Sequence, residues 1–431
     1  MSRTAVLPDE AAAGTRLARA GMVLALATTV AHAGNYVLNL LMARWLSPAE
    51  FSDATLMVTL MAVVTALAMG LQMVTARSVG NFEVAGLTDV ADRLAGRLRR
   101  WAWSSGIALA AVLILTAPQL QQVFHTASAW PFVVLGLGMP YYLAQAVGRG
   151  ALQGRLAFGR LAVTFLVEML VRVGVSVSLL ALGGGVPGVT AGLTVSFIAT
   201  WLSVRSATAR RSLAPKVRAT DLTEIRAYAA AVGLLLGAQI IITNGDVLIA
   251  KHFLEPEIAG AYSALSLMGR AAFFLSWSVA TVVFPAAARR HAAGQNSDQL
   301  LRGGIYAVAG IGGLCALATG LFGNVFIGIF LGSTYRNLGG LLTVYVVSTT
   351  LFAVSNLVAS HYLATGRTTE SWALLSGAVV QTVLLLHWNH SMQELVRAQL
   401  VAMTVLVVLV AVCRTARKSS PEPTVERRTS R

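Results

Sequence analysis

The sequence predicts an all-α polytopic membrane protein with about twelve transmembrane helices, arranged as two six-helix lobes related by an axis along the membrane normal. Three observations carry that prediction. Of 431 residues, 56% are hydrophobic and only 12% charged, where soluble domains have about 25% charged. The apolar residues collect into runs of about 20, the length a helix needs to cross the hydrocarbon core. Lys and Arg gather in alternate connections between those runs, the pattern that orients helices in a bilayer. The formal net charge of +15 therefore reads as topology and not as nucleic-acid binding, which needs basic residues gathered on one exposed element.

The spans follow in order at 20–43, 52–76, 101–121, 131–148, 161–183, 186–205, 227–250, 260–284, 303–330, 338–363, 370–387 and 396–413. The first follows Arg3, Arg16 and Arg19 and contains "AHA" at 31–33, a superficial signal-peptide pattern. Apolar character continues to Leu41, so an uncleaved span is expected. The eleventh is short and ends in His387, Asn389 and His390. With a cytoplasmic N-terminus, all but six of the 33 Lys and Arg fall on the cytoplasmic side. Arg44, Lys251, Arg336 and Arg397 face outward, and Arg172 and Arg270 lie within spans. Both termini are then cytoplasmic.

The longest polar connection, "RSATARRSLAPKVRATDLTEIR" (205–226), separates six spans from six. The expected organisation is a polar N-terminus (1–19), an N-lobe (20–205), a basic linker (206–226), a C-lobe (227–413) and a basic tail (414–431). The first 15 or so residues and the stretch from Ser419 lack apolar periodicity and are expected to be disordered, the tail lying near anionic lipid. "LSPAEFS" (46–52) matches "LEPEIAG" (254–260), and "LQGR" (152–155) matches "ATGR" (364–367), at nearly equal shifts of 208 and 212. Such paired offsets indicate duplication. An even number of spans per repeat gives both halves the same orientation.

An ionisable residue at the bilayer centre costs about 2.5–3.5 kcal/mol on insertion scales and therefore faces protein or a wet cavity. Span 1 carries Thr28, His32, Asn35 and Asn39 on one face, and span 5 carries Thr164, Glu168, Arg172 and Ser176 at successive four-residue steps. Span 7 carries Gln239, Thr243 and Asp246; span 8 carries Ser263, Ser266, Arg270 and Trp277; span 10 carries Tyr345, Thr349, Asn356 and Ser360. At 1.5 Å per residue, Arg172 and Arg270 lie about 18 and 15 Å from their span ends, near the midplane. Two such guanidinium groups suit an anionic substrate such as pyrophosphate. Arg172 equally suits a structural pair with Glu168 one turn away, and Arg270 a cross-helix pair. Arg77 and Arg149, near helix ends, are further substrate contacts at a cavity mouth. Asn244 and Asp246 read as structural or ion-coupling groups, Asp246 sitting five residues before Lys251. His32 titrates near neutral pH or serves as an interhelical hydrogen bonder, and Trp277 packs or stacks on sugar.

No catalytic constellation appears: Walker, GxSxG and metal-spaced His/Cys patterns are missing. Cys315 and Cys413 sit in apolar runs and form no redox or zinc motif. The connections expected outside are short, about 10 residues, which opposes a polysaccharide polymerase or ligase needing a large catalytic loop. Neither an enzyme activity, a metal nor a bound cofactor is expected.

The order of features resembles the polysaccharide transporter branch of the multidrug/oligosaccharidyl-lipid/polysaccharide (MOP) flippase superfamily, the Wzx-type oligosaccharide flippases. The resemblance spans roughly residues 15–415. It rests on "LSPAEF" (46–51), "LQG" (152–154), "EMLVR" (168–172), Asn244-x-Asp246 followed by Ala259, Gly260, Tyr262, Ser263 and Ala264, and "FP" at 284–285. Ser52 departs from the glycine usual in that turn. The resemblance implies a two-lobed transporter with a central cavity working by alternating access. It also implies polyprenyl-pyrophosphate-linked oligosaccharide as substrate and the bacterial inner membrane as location. Membrane lipid and polysaccharide polymerase or export machinery are its candidate partners, and proton, sodium or membrane-potential coupling stays open. The alternative is a multidrug/cation antiporter of the same superfamily, which would call for a more acidic interior.

Overall fold

The computed structural model describes residues 8–207, 219–292, 298–364 and 369–418. All regular structure among them is helical: α1 (Pro8–Trp45), α2 (Pro48–Val84), α3 (Thr88–Leu115), α4 (Ala117–Val123), α5 (Trp130–Gly154), α6 (Phe158–Ala181), α7 (Gly185–Ala207), α8 (Ala219–Phe253), α9 (Pro256–Ala292), α10 (Asp298–Phe330), α11 (Gly339–Ala364), α12 (Thr369–His387) and α13 (Met392–Lys418). A 3-10 helix, Ser333–Leu338, joins α10 to α11. Ten of these helices are long and apolar enough to cross a membrane among the described residues, and α12 adds a shorter apolar stretch, Trp372–His387. The expected seventh span falls in α8, whose side chains are described from Leu236 onward.

Local chemistry sets the boundaries. Ser47 Oγ accepts from Glu50 N at 3.3 Å while Glu50 Oε2 accepts from Ser47 N at 3.0 Å, a capping box with Pro48 in the first turn. The third span departs from expectation: α3 starts earlier, at Thr88, and stops at Leu115. Pro118 cannot continue that helix, because it has no N–H for the ladder and its ring crowds the preceding turn, so the chain restarts as α4. At the N-terminus the helix reaches back to Pro8, inside the stretch expected to be disordered; three alanines at 11–13 are strong helix formers. The tail from Ser419 and the core of the basic linker, 208–218, lie outside the described residues.

Contacts divide the chain into two compact units. Unit 1 comprises Met1–Ile240 and Ala250–Ala264, and unit 2 comprises Ile241–Ile249 and Leu265–Arg431. In unit 1, α5 is the keystone, packing against α2, α3 and α7, while α6 packs against α1 and α7. Every side chain from Tyr142 to Leu152 is buried. In unit 2, α11 packs against α10 and α13, and α12 against α13. Large apolar side chains point outward, among them Leu115, Leu182, Leu314 and Leu321; only a lipid surround makes that arrangement favourable over so much surface. At one end of unit 1, Arg155 joins Glu83 at 2.7 Å and Asp92 at the ends of three helices. Burial works against its charge, yet the hydrogen bonds it donates to the two carboxylates, with their negative charge, outweigh that and hold its pKa above the ordinary arginine value.

The turn between α8 and α9 belongs to unit 1 and docks on the start of α2. Lys251, 1% exposed, reaches Asp53 Oδ1 at 2.5 Å and donates to Ser52 Oγ at 2.8 Å. Ala127 N donates to Asp53 Oδ2 at 3.0 Å. Lys251 is therefore a buried structural ion, and its partner is Asp53, not Asp246. Ser52, the departure from the family's glycine, supplies an acceptor that glycine lacks. Gly260 permits the close approach: a Cβ there would meet the Pro48 carbonyl oxygen at 1.9 Å. We expect Gly260→Ala to lower the thermal unfolding midpoint sharply, by about 3 kcal/mol of stability. Gly245→Ala, whose nearest foreign atom is Ile241 Cγ2 at 3.9 Å, should leave it unchanged or raised. Lys251→Met, which strands the Asp53 carboxylate, should cost about 3–5 kcal/mol, and Asp53→Asn added to it should recover part of that loss in the same measurement.

Candidate functional site

Unit 1 holds a cluster of three buried ions. The four-residue spacing on α6 puts Thr164, Glu168, Arg172 and Ser176 on one face, and all four are buried. Arg172 donates through Nη2 to Glu168 Oε1, and Arg149 Nη2 approaches Glu168 Oε2 at 2.7 Å. Arg149 comes from α5, which runs past its expected end at residue 148 to Gly154. It is thus buried inside the helix and does not sit at a helix end. Its Nε donates to Thr164 Oγ1 at 3.0 Å and its Nη2 to the Thr164 carbonyl at 2.9 Å. The Phe165 ring lies 4.1 Å from the Arg149 guanidinium carbon, a cation–π geometry.

The first helix completes the cluster. Arg172 Nη1 donates to Asn35 Oδ1 at 3.1 Å. Asn35 Nδ2 in turn donates to Ala31 O at 2.9 Å, and Asn39 Nδ2 to Asn35 O at 2.8 Å. The Phe197 ring stands 5.7 Å from the Arg172 guanidinium carbon. One carboxylate thus serves two guanidinium groups, leaving a local charge of +1. Arg172 Nε is buried with no hydrogen-bond partner among the described residues. His32 on α1 and Arg77 on α2 are exposed.

Unit 2 holds a second, neutral cluster. Asp246 is completely buried; its Oδ1 accepts from Arg270 Nη2 at 3.0 Å and its Oδ2 from the Tyr345 hydroxyl at 2.5 Å. Arg270 Nη1 donates to Asn244 Oδ1 at 3.4 Å, and Asn244 Nδ2 to Thr243 Oγ1 at 2.9 Å. Gly269 lets α11 come close, since a Cβ there would meet the Tyr345 ring at 2.2 Å. Thr349 Oγ1 donates to the Gly269 carbonyl at 3.1 Å. Asn356, two turns along α11, is also buried. The Arg270 side chain keeps 19% exposure, so the guanidinium sits at a rim and not in the core. The Trp277 side chain lies outside the described residues.

Several partners escaped the sequence reading. Tyr345 was part of a polar stripe but not paired with Asp246, and Gln381, which donates to Ile242 O at 3.0 Å and Gln399 Oε1 at 2.7 Å, carried no motif. Asp53 had one usable signal: it immediately follows the repeated turn whose second copy follows Lys251.

Apolar helices in two compact units, each with its own buried arginine–carboxylate cluster, define a polytopic membrane protein. The fold matches an inward-facing multidrug resistance MATE family transporter of that superfamily with a TM-score of 0.76 at 15% identity, covering 93% of this chain and 99% of that one. It matches the lipid II flippase MurJ in an inward closed conformation with a TM-score of 0.72 at 13% identity, covering 93% and 88%. A MOP superfamily transporter from Pyrococcus furiosus, described as having reverse polarity of its binding pocket, matches with a TM-score of 0.60 at 15% identity, covering 93% and 96%. Comparison with curated proteins gives no match. Residues 41–338 match the polysaccharide biosynthesis protein family, and the chain belongs to it. Its fold is the one seen in these transporters and in the flippase.

Glu168 is the only carboxylate in the unit 1 cluster, so its neutralisation leaves two buried cations facing each other. Glu168→Gln should lower stability by about 3–5 kcal/mol, read as a fall in the unfolding midpoint of the purified protein. Ser176→Ala, which removes only a 3.3 Å hydrogen bond to Val189 O, should cost about 1 kcal/mol.

Proposed function

We propose that this protein flips a polyprenyl-pyrophosphate-linked oligosaccharide, a repeat unit of exopolysaccharide, capsule or O-antigen, to the outer leaflet of the bacterial inner membrane by alternating access. The observation that carries the reading is the excess positive charge of the Arg149–Glu168–Arg172 cluster, with Arg172 Nε unpartnered. A guanidinium fork matches the oxygens of a pyrophosphate, and in a site screened from water that match is far stronger than in bulk. Arg270, partly exposed beside Asp246, offers a second such group; Asn35, Asn39 and Asn356 supply polar contacts suited to sugar hydroxyls. Family membership and the likeness to a lipid II flippase support the same substrate class.

The arginine placement opposes the multidrug/cation antiporter reading. A cation entering unit 1 meets net positive charge, and both Asp246 oxygens are already engaged. With cytoplasmic termini, the inside-negative potential favours outward movement of an anionic head group by about 2.3 kcal/mol per charge per 100 mV. A proton or sodium gradient is the further energy source this reading calls for, and polysaccharide polymerase or export machinery is the partner that would consume the product.

Reconstitution tests the proposal. In proteoliposomes carrying a fluorescent polyprenyl-pyrophosphate oligosaccharide, the protein should expose the label to an external membrane-impermeant quencher. Arg172→Gln should slow that exposure at least about tenfold, equivalent to 1.4 kcal/mol, at normal protein insertion. Arg172→Lys, which keeps the charge but loses the fork, should fall between. Absence of flipping, with ethidium export driven by a pH gradient in its place, would establish the antiporter.

A further inference from the structure

Unit 1 contains a groove of about 560 Å³ walled by α3, α5 and α7, within the range of small-ligand sites. It is separate from the ion cluster. Ala144, Gly148, Ala151 and Arg155 line it from one face of α5 at helical spacing, whereas Arg149, rotated about 100° from Gly148, turns toward α6. The flanking helices supply matched pairs: Arg99 with Trp103 on α3, and Trp201 with Arg205 on α7. Because α3 leaves, and α7 approaches, the same end of the unit, both pairs place an arginine at that end and a tryptophan about 6 Å deeper.

The tryptophans join Tyr141 in an aromatic group, with ring centroids 5.6 Å apart for Trp103–Trp201, 5.2 Å for Trp103–Tyr141 and 5.4 Å for Tyr141–Trp201. The Arg205 guanidinium carbon lies 5.3 Å over Trp201. Arg155 is committed to Glu83 and Asp92. Arg99 and Arg205 have no carboxylate partner among the described residues, and both are exposed. Leu202, next to Trp201 on α7, presents exposed apolar surface. A cationic layer at the end of the unit with an aromatic layer about 6 Å deeper reproduces the profile of a bilayer interface.

We propose that this groove binds an anionic phospholipid, its phosphate held by Arg99 and Arg205 and its acyl chains leaving along the aromatic wall. The aromatic wall and the exposed Leu202 distinguish a lipid from a free phosphate, which has no use for them. The site would make transport responsive to the lipid composition of the leaflet in which α3 begins and α7 ends.

The test uses full-length protein in phosphatidylcholine nanodiscs, following tryptophan fluorescence as phosphatidylglycerol with dibrominated acyl chains is added. Quenching should saturate at a mole fraction at least about fivefold lower than with dibrominated phosphatidylcholine, the scale of one arginine near an anionic surface. Trp103→Phe/Trp201→Phe should remove the saturable part. Arg99→Gln/Arg205→Gln should abolish the preference, Arg99→Lys/Arg205→Lys should keep most of it, and Arg160→Gln, an exposed arginine away from the groove, should keep all of it. Three results would overturn the proposal: equal quenching by the two lipids, a preference that survives the double glutamine variant, or full displacement by millimolar inorganic phosphate, which marks a free-phosphate site.

Discussion

The structure of unit 1 depends on one carboxylate. Glu168 sits on the keystone's neighbour α6 and accepts from guanidinium groups of two different helices, in a region where an unpaired charge costs several kcal/mol. Through Arg149 it ties α6 to α5, and through Arg172 and Asn35 it ties α6 to α1. Neither arginine would be tolerated at its depth without it. The positions of α1, α5 and α6 are therefore coupled by electrostatics as well as by packing. The apolar contacts set how near the helices come, and the ion cluster sets which faces meet.

Three buried ion groups show three uses of the same rule. Lys251 and Asp53 form a one-to-one pair flanked by hydrogen bonds to Ser52 Oγ and from the Ala127 N–H; its charge is balanced, and the pair reads as a structural joint. Asp246, Arg270 and Tyr345 are also balanced in charge, but Arg270 retains some exposure. The Glu168 group alone is unbalanced, with two cations to one anion. Since burying a surplus cation is unfavourable by itself, the surplus makes physical sense where an anion arrives during function.

Much of the fold was legible because the bilayer imposes a length and a charge rule on every span. Apolar runs gave the helices, and the alternating arginines gave a consistent parse. The misplaced details have local causes: Pro118 breaks the third helix early, and α5 continues through "RGALQG" because alanine, leucine and a buried arginine with partners sustain it. The Glu168–Arg172 pair was visible as a four-residue spacing. Arg149 was named but assigned to a helix end, since its partner lies fifteen or more residues away and no periodicity reports such a contact. Tyr345 with Asp246, and Asp53 with Lys251, join residues about 99 and 198 positions apart; only the folded chain brings them together.

The duplicated turn explains more than internal similarity. In the first copy Ser47 and Glu50 close a capping box around Pro48; in the second, Pro256 again opens a helix and Gly260 stands four residues on. The two copies are not equivalent partners, however. The second docks on the first, and Gly260 takes the place where Pro48's carbonyl leaves no room for a side chain. Ser52 and Asp53 then find Lys251 because that docking has fixed the separation. The turn at 254–260 is thus a contact surface for the turn at 46–52. Its serine, acid and lysine are constrained jointly, and a change at any one is felt by the remaining two.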